Sequence, residues 1–238
     1  MNRRSFLSAS LTSTAVSAPL LGKDRNLQAG GNVKSGTKVV WQNGKSYWPI
    51  CLDTATLDKG IGLEDKLRLA AEAGFDCVEP WDRELDQYEK QGGNLKDIKS
   101  LVADLGLYIP SVIGLWNSMD ASEESFNSRL DEHRNRLRMV SAIGSRKVQV
   151  IPNMKLKDSF DYNVASWCYR QILEMAIGDY GMEGAGIVFL NFFSPLSSIA
   201  DATRVAFGAD HKKAQIIPDT FHMFLGNCVS THTSRYIL

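Results

Sequence analysis

From residue 46 onward the apolar positions switch regularly between two periods. Tyr47 to Leu52 is a short, mostly apolar run that predicts a strand. Leu63, Leu67, Ala70 and Ala71 then fall at i, i+4, i+7 and i+8, which lines one face of a helix. Gly74 stands where that helix needs a left-handed residue to stop, and Phe75-Asp76-Cys77-Val78-Glu79 predicts the next strand. The succession repeats. Leu95, Ile98, Leu101, Val102 and Leu105 mark a helix face, Gly106 its cap, and Leu107 to Ile113 a strand. Phe126, Leu130, Leu137 and Val140 mark a third helix, Gly144 its cap, and Lys147 to Ile151 a fourth strand. The cap glycines lie 32 and 38 residues apart, one βα unit each. Val164, Cys168, Ile172 and Met175 predict a fourth helix, and Ile187 to Leu190 a fifth strand. Leu196, Ile199 and Thr203 open a fifth helix that ends near Gly208, before a sixth strand at Ala214 to Ile217.

Strands that alternate with helices imply parallel pairing, because each crossover helix returns the chain to the same edge. Right-handed crossovers leave a doubly wound sheet or a TIM barrel of eight βα units. The glycine-rich phosphate turn of a dinucleotide-binding first unit is missing after the first strand, where Asp53-Thr54-Ala55-Thr56 stands. The barrel is therefore the expected α/β class, with about six of its eight units present over residues 46–225. Residues 226–238 hold no convincing βα unit and are expected to be an irregular tail, so the barrel is expected to be truncated at its C-terminal side.

The preceding residues read as an address. Met1-Asn2-Arg3-Arg4-Ser5-Phe6-Leu7, a mildly apolar stretch and Val16-Ser17-Ala18 form a basic start, an apolar middle and a small-residue cleavage site within residues 1–22. The Arg-Arg-x-Phe-Leu order resembles the bacterial twin-arginine signal, which implies export to the periplasm. Hydroxyl residues break the apolar run short of the roughly 20 residues a membrane span needs, so no stable span is expected. Residues 23–45, rich in Gly, Asn, Lys and Ser without periodicity, read as a linker.

Composition narrows the function classes. Lys+Arg and Asp+Glu are both 27, so no basic excess points to nucleic acid. Cys51, Cys77, Cys168 and Cys228 include no C-x-x-C pair, which excludes a zinc ribbon or a thioredoxin-type motif. In a parallel barrel the chemistry sits at the C-terminal strand ends. Those ends carry Asp53, Glu79-Pro80-Trp81, Gly114-Leu115-Trp116-Asn117, Pro152-Asn153, Asn191-Phe192-Phe193 and Asp219-Thr220-Phe221-His222. Carboxylates, amides, an imidazole and aromatic rings together suit a small polar ligand with apolar faces. Asp219 and His222 are the sharpest pair: a carboxylate ending a strand and an imidazole three residues on can face one ligand or cation, or simply be a cap and a packed ring.

The stretch Ala209-Asp210-His211-Lys212-Lys213-Ala214-Gln215-Ile216-Ile217-Pro218-Asp219-Thr220-Phe221-His222-Met223 closely resembles the strand-six segment of xylose isomerase-like TIM barrels, the sugar phosphate isomerases and epimerases. Ala73 to Glu79 resembles that family's second strand, and Ile187 to Phe192 its fifth. The resemblance implies a sugar (phosphate) isomerase/epimerase homologue acting on a small-molecule sugar or sugar derivative. It also implies a divalent metal (Mn, Mg, Co or Zn) held by a strand-five Glu, the strand-six Asp, a strand-seven His and a strand-eight Glu, with the glutamates moving a proton beside the carbonyl. Asp219 matches the strand-six ligand. The strand-five Glu matches Val188, which can neither ligate nor take a proton, so no catalytic base is assigned and an incomplete site is expected. His222 matches a His of the substrate site, and Glu79, Trp116 and Asn153 are further substrate-binding candidates.

Each candidate has a plainer alternative. Glu79 can tie down a loop, and Trp81 and Trp116 can plug the barrel mouth. His133 is expected to be packing or surface, His211 and His232 solvated, and the Arg134-to-Arg138 cluster a solvated helix face. Cys51 and Cys77 lie on adjacent predicted strands and can approach each other, with buried free thiols the expected state. The competing functional classes are a non-catalytic sugar-binding or structural relative, which Val188 favours, and a nuclease-like barrel, for which the four histidines supply too few metal ligands. With strands one and six unpaired on one side, self-association is expected. Replacing Arg3 and Arg4 by Lys is expected to hold the protein in the cytoplasm of a bacterial host; equal periplasmic recovery of parent and variant on fractionation would refute export.

Overall fold

A computed structural model of the chain describes residues 41–42, 46–156, 159–191 and 195–226. The expected signal segment, most of the linker, Phe192, Phe193, Cys228, His232 and the tail beyond Gly226 lie outside the described residues.

The helix predicted from Leu63 forms over Leu63–Glu72 (α1) and buries Leu63, Leu67 and Ala70. Leu95–Asp104 (α3) buries Leu95, Ile98 and Val102, and Asn94 caps its start by accepting from the Lys96 N–H. Gly74, Gly106 and Gly144 end their helices at φ of 84°, 71° and 84°, the left-handed conformation for which glycine carries no Cβ penalty. The third predicted helix is two: Glu123–Ser128 (α4) and Leu130–Ala142 (α5), interrupted at Arg129, whose φ of −112° and ψ of 11° leave the helical region. Tyr162–Gly178 (α6), Ile199–Gly208 (α7) and the short Thr220–Leu225 (α8) complete the helices, together with Asp82–Lys90 (α2), which the apolar pattern does not predict. α2 offers the interior only Leu85 and the partly buried Tyr88.

Strands β1 (Cys51–Asp53) and β2 (Cys77–Glu79) pair in parallel, as do β3 (Lys147–Val150), β4 (Gly184–Val188) and β5 (Gln215–Ile217) in that order. The predicted third strand does not form a continuous ladder. Its segment bridges both neighbours at single points, Tyr108 to Cys77, Ile113 to Trp81 and Val112 to Val148, all parallel. Pro110 in that segment has no N–H to donate. The sheet therefore runs parallel and in chain order from β1 to β5, as in a TIM barrel; a doubly wound sheet reverses order.

The first strand is shorter than predicted: Tyr47, Trp48 and Ile50 are exposed and precede it. The fifth predicted strand sits earlier, at Gly184–Val188 instead of Ile187 to Leu190. Gly184 and Gly186 read as breakers, yet they are required there. A Cβ on Gly186 would lie 2.6 Å from Ile217 Cγ1, and one on Gly184 2.9 Å from Gln215 Nε2, so side chains of β5 lean across the glycines.

Alternation sorts the strand residues into two layers. Val78, Val112, Val148, Val150, Ala185 and Ile187 face the helices and form the main core with Leu67, Leu137, Ile172 and Val205. The fully buried Tyr169 of α6 locks this layer: its hydroxyl donates to the Ala185 carbonyl (2.6 Å) and accepts from the Gln215 N–H (2.9 Å), tying β4 to β5. Ile113, Ile151 and Val188 form a second, smaller cluster on the opposite face. Among the described residues no helix is long and apolar enough to cross a membrane.

His133 on α5 is packing rather than surface. It is fully buried, its ring stacks on Phe126 at 5.1 Å, and neither ring nitrogen has a hydrogen-bond partner. Burial, aided by the Arg129 charge, pushes its pKa down to about 4. The unfolded chain thus takes up this proton near the ordinary histidine value of 6.5 and the folded chain does not until about 4. Stability is fully present above the higher value and falls as pH drops between the two, by up to about 3 kcal/mol. Urea unfolding at pH 7.5 and pH 4.5 should show His133→Leu losing less stability on acidification than the parent. An equal loss would mean that His133 does not carry this dependence.

Candidate active site

Parallel pairing brings the C-terminal strand ends to one rim, and Glu79 lies at its centre. Its carboxylate accepts from the Ser111 hydroxyl and from Gln149 Nε2 (2.7 Å), so one side chain of β2 reaches the third strand segment and β3. Burial raises the Glu79 pKa above the ordinary carboxylate value, and these two donors work against that rise.

Trp81, two residues on, faces the same side. Its Nε1 donates to Asp53 Oδ1 (2.7 Å), the Arg83 guanidinium lies 4.0 Å over its ring, and its ring stacks on Trp116 at 5.5 Å and 23°. Trp116 is carried by a loop in which Leu115 (φ 51°) and Asn117 (φ 57°) both occupy the left-handed region, costly for residues other than glycine. Two arginines of the α5 region hold that loop. Arg136 Nη1 donates to the Trp116 carbonyl and Arg129 Nη1 to the Asn117 carbonyl, each at 3.1 Å. Arg136 also faces Asp82, whose pKa burial raises, at 3.4 Å and Glu132 at 2.5 Å. Arg134 and Arg138 are half-exposed as expected, but Arg136 is only 19% exposed and is not part of a solvated face. Beside the two indoles a cleft of 520 Å³ opens between α2 and α5, lined by Asp82, Asp86, Glu132, Asn135 and Arg136.

Asn153 turns away from this group: its Nδ2 donates to Asp120 (3.2 Å) and its Oδ1 accepts from the Lys155 N–H (3.1 Å). Asp219 caps α8, accepting from the N–H groups of Phe221 (2.8 Å) and His222 (3.2 Å), and its other oxygen lies 4.0 Å from Nε2 of the buried His222. The two are neighbours, as their spacing predicts. His211 Nδ1 accepts from the Lys213 N–H, a local turn contact. Val188 closes the smaller apolar cluster with Ile113 and Ile151, against Trp81, Trp116, Leu190 and Ile217. A divalent ion needs several converging donors. Among the described residues no three His, Cys, Asp or Glu side chains converge, Val188 offers no donor, and one Asp219 oxygen is engaged by the helix cap. The described residues do not fit the ion.

Four residues that shape the rim, Ser111, Gln149, Arg129 and Arg136, escape sequence reading. Gln149 and Ser111 carried a faint signal, a polar side chain at an alternating position inside an apolar strand. Arg129 and Arg136 carried none, because the loop carbonyls they hold are set by tertiary structure.

The family model described as xylose isomerase-like TIM barrel matches residues 67–231. Among solved structures the chain is similar to a xylose isomerase-like TIM barrel/4-hydroxyphenylpyruvate dioxygenase fusion protein, at 24% identity and a TM-score of 0.64, covering 74% of this chain and 27% of that one. It is similar to the IOLI protein with a binding zinc atom, at 16% identity and a TM-score of 0.63, covering 74% and 64% of the two chains. D-psicose 3-epimerase with D-tagatose from Clostridium cellulolyticum H10 aligns at 14% identity and a TM-score of 0.64, covering 79% and 69%. The chain thus spans about a quarter of the first of these proteins and less than two thirds of the second. No curated protein matches the chain in sequence.

Removing one Glu79 donor should expose its role. Ser111→Ala is expected to raise the Glu79 pKa further and to destabilise the fold at neutral pH by about 1–3 kcal/mol, the cost of an under-bonded buried group. An NMR titration of the side-chain carboxyl with urea unfolding reads both; an unchanged pKa would mean that Ser111 does not hold the carboxylate.

Proposed function

The chain belongs to the xylose isomerase-like TIM barrel family, and on that premise we propose that it binds a sugar or sugar derivative at its strand-end rim, as a homologue of sugar (phosphate) isomerases and epimerases whose proton-transfer site is incomplete. The observation that carries the reading is the cleft beside Trp81 and Trp116, where indoles adjoin the carboxylates of Asp82, Asp86 and Glu132 and the Asn135 amide. A sugar presents apolar C–H faces suited to indole and hydroxyls suited to carboxylate and amide. Glu79, Trp116 and His222 are proposed as substrate-binding residues and Asp219 as a metal-ligand position, whereas Asn153, engaged with Asp120 and the Lys155 N–H, is not.

Epimerisation beside a carbonyl needs a base to take the proton and an electrophile to stabilise the charge left on oxygen; a positioned base typically contributes about 10²–10⁴ in rate. Val188 stands at the matched base position inside an apolar cluster, which favours the second reading, binding without turnover. Export through the Arg3-Arg4 start and self-association belong to the same proposal. The latter is supported by β1 and β5, each of which pairs on one side among the described residues.

Tryptophan fluorescence with a panel of ketoses and aldoses, D-tagatose included, tests binding. At least one sugar is expected to shift the emission saturably, and Trp116→Ala to remove the shift; no response across the panel would overturn the sugar reading. With manganese or cobalt added, neither the parent nor Val188→Glu is expected to turn over any sugar. Turnover abolished by Asp219→Ala would show that the site is complete.

A further inference from the structure

Cys51 and Cys77 are register partners on β1 and β2. In a parallel pair, aligned residues point to the same side of the sheet, and neighbouring strands lie about 4.8 Å apart, within the Cα separation that bridged cysteines show. The register therefore sets the two thiols side by side across the ladder, and Tyr108 of the next strand segment is bridged to Cys77 on its other side. Their exposure differs sharply. Cys51 is exposed, whereas Cys77 is 1% exposed.

We propose that Cys51 and Cys77 form a redox-active pair that closes to a disulfide across β1 and β2 on meeting a small oxidised disulfide such as oxidised glutathione. The exposed Cys51 thiolate attacks one sulfur of the reagent, forms a mixed disulfide and releases the first small thiolate. Cys77 then attacks Cys51 Sγ, forms the intramolecular S–S bond and releases the second small thiol. Two protons leave the protein thiols and two electrons reduce the reagent. The same pairing lowers the Cys77 pKa and raises that of Cys51, so Cys77 is the site that takes up the Cys51 proton as the exposed Cys51 sulfur attacks, and it is deprotonated again when it resolves the mixed disulfide. Closure fastens the β1 edge strand, which otherwise rests on a three-residue ladder, to β2. Cys168, fully buried in α6, is kept from the same reagent by its position and by a pKa that burial raises to about 11.

The test treats the full chain with oxidised glutathione, quenches with acid, and maps non-reduced tryptic peptides by mass spectrometry. The expected product joins the peptides 46–59 and 69–83, at a mass two hydrogens below their sum, and dithiothreitol reverses it. Glutathione is expected transiently on Cys51 and to decay as the cross-link grows. Cys77→Ser should stop at that adduct, and Cys51→Ser should give neither product. The time course in the parent needs no variant to fold. A Cys51 adduct that persists in the parent, free thiols at both positions, or a bridge through Cys168 or Cys228 instead would each overturn the pair.

Discussion

One half-buried carboxylate ties three neighbouring strand segments of the barrel together. Between β2 and β3 the third strand segment is held by scattered backbone hydrogen bonds, such as Ile113 N–H to the Pro80 carbonyl and Gln149 N–H to the Val112 carbonyl, with gaps where the ladder is not continuous. Glu79 spans this region, accepting from Ser111 on the segment and Gln149 on β3. Hydrogen bonds to a charged acceptor are about twice as strong as neutral ones, so the two side-chain contacts reinforce the backbone pairing on either side. The arrangement has a cost, visible in the raised Glu79 pKa: burial disfavours the same charge that makes the bonds strong. A group poised this way is both a structural tie and a titratable centre at the rim.

The rim repeats the device with the signs reversed. The Trp116 loop holds two non-glycine residues in left-handed conformations, and such backbone persists only where its surroundings fix it. Arg129 and Arg136 fix it by donating to its carbonyls, and Asp120, Glu132 and Asp82 in turn neutralise the arginines. At the start of α2, buried Lys66 reaches Glu84 at 2.7 Å, and Glu84 accepts from the Trp81 N–H and the Thr54 hydroxyl. Trp81 is thereby set by a paired charge on one side and Trp116 by guanidinium groups on the other, so the indole stack is held by electrostatics rather than by apolar packing alone.

This explains what the sequence discloses. Helix faces such as Leu95-Ile98-Val102 and the caps Gly74, Gly106 and Gly144 are local, and each appears where its period or its backbone requirement places it. The order of βα units, and hence the barrel, follows from them. Features that rest on partners distant in sequence are not legible. Gly184 and Gly186 look like breakers because the side chains of β5 that need their space come some thirty residues later. α2 shows almost no apolar stripe because ion pairs and a hydrogen-bonded carboxylate anchor it. At the site, strand-end position suffices to nominate Glu79 and Trp116. It does not disclose that Asn153 is turned to Asp120 or that Arg136 is drawn inward, since both depend on loops that fold back on the rim.

The apolar cluster around Val188 bears on how such a barrel gains or loses chemistry. An ionised carboxylate at that position would be surrounded by Ile113, Ile151, Ile217 and two indoles, with the Glu79 carboxyl on the same face of the sheet. Desolvation would favour its neutral form, and only a cation or several hydrogen-bond donors could restore the charge. A cation held beside such a carboxylate would satisfy both requirements at once, so each would be costly without the other. An apolar residue at 188 therefore accords with the lack of converging ligands among the described residues. The apolar cluster stabilises the rim where a charged centre would require an ion.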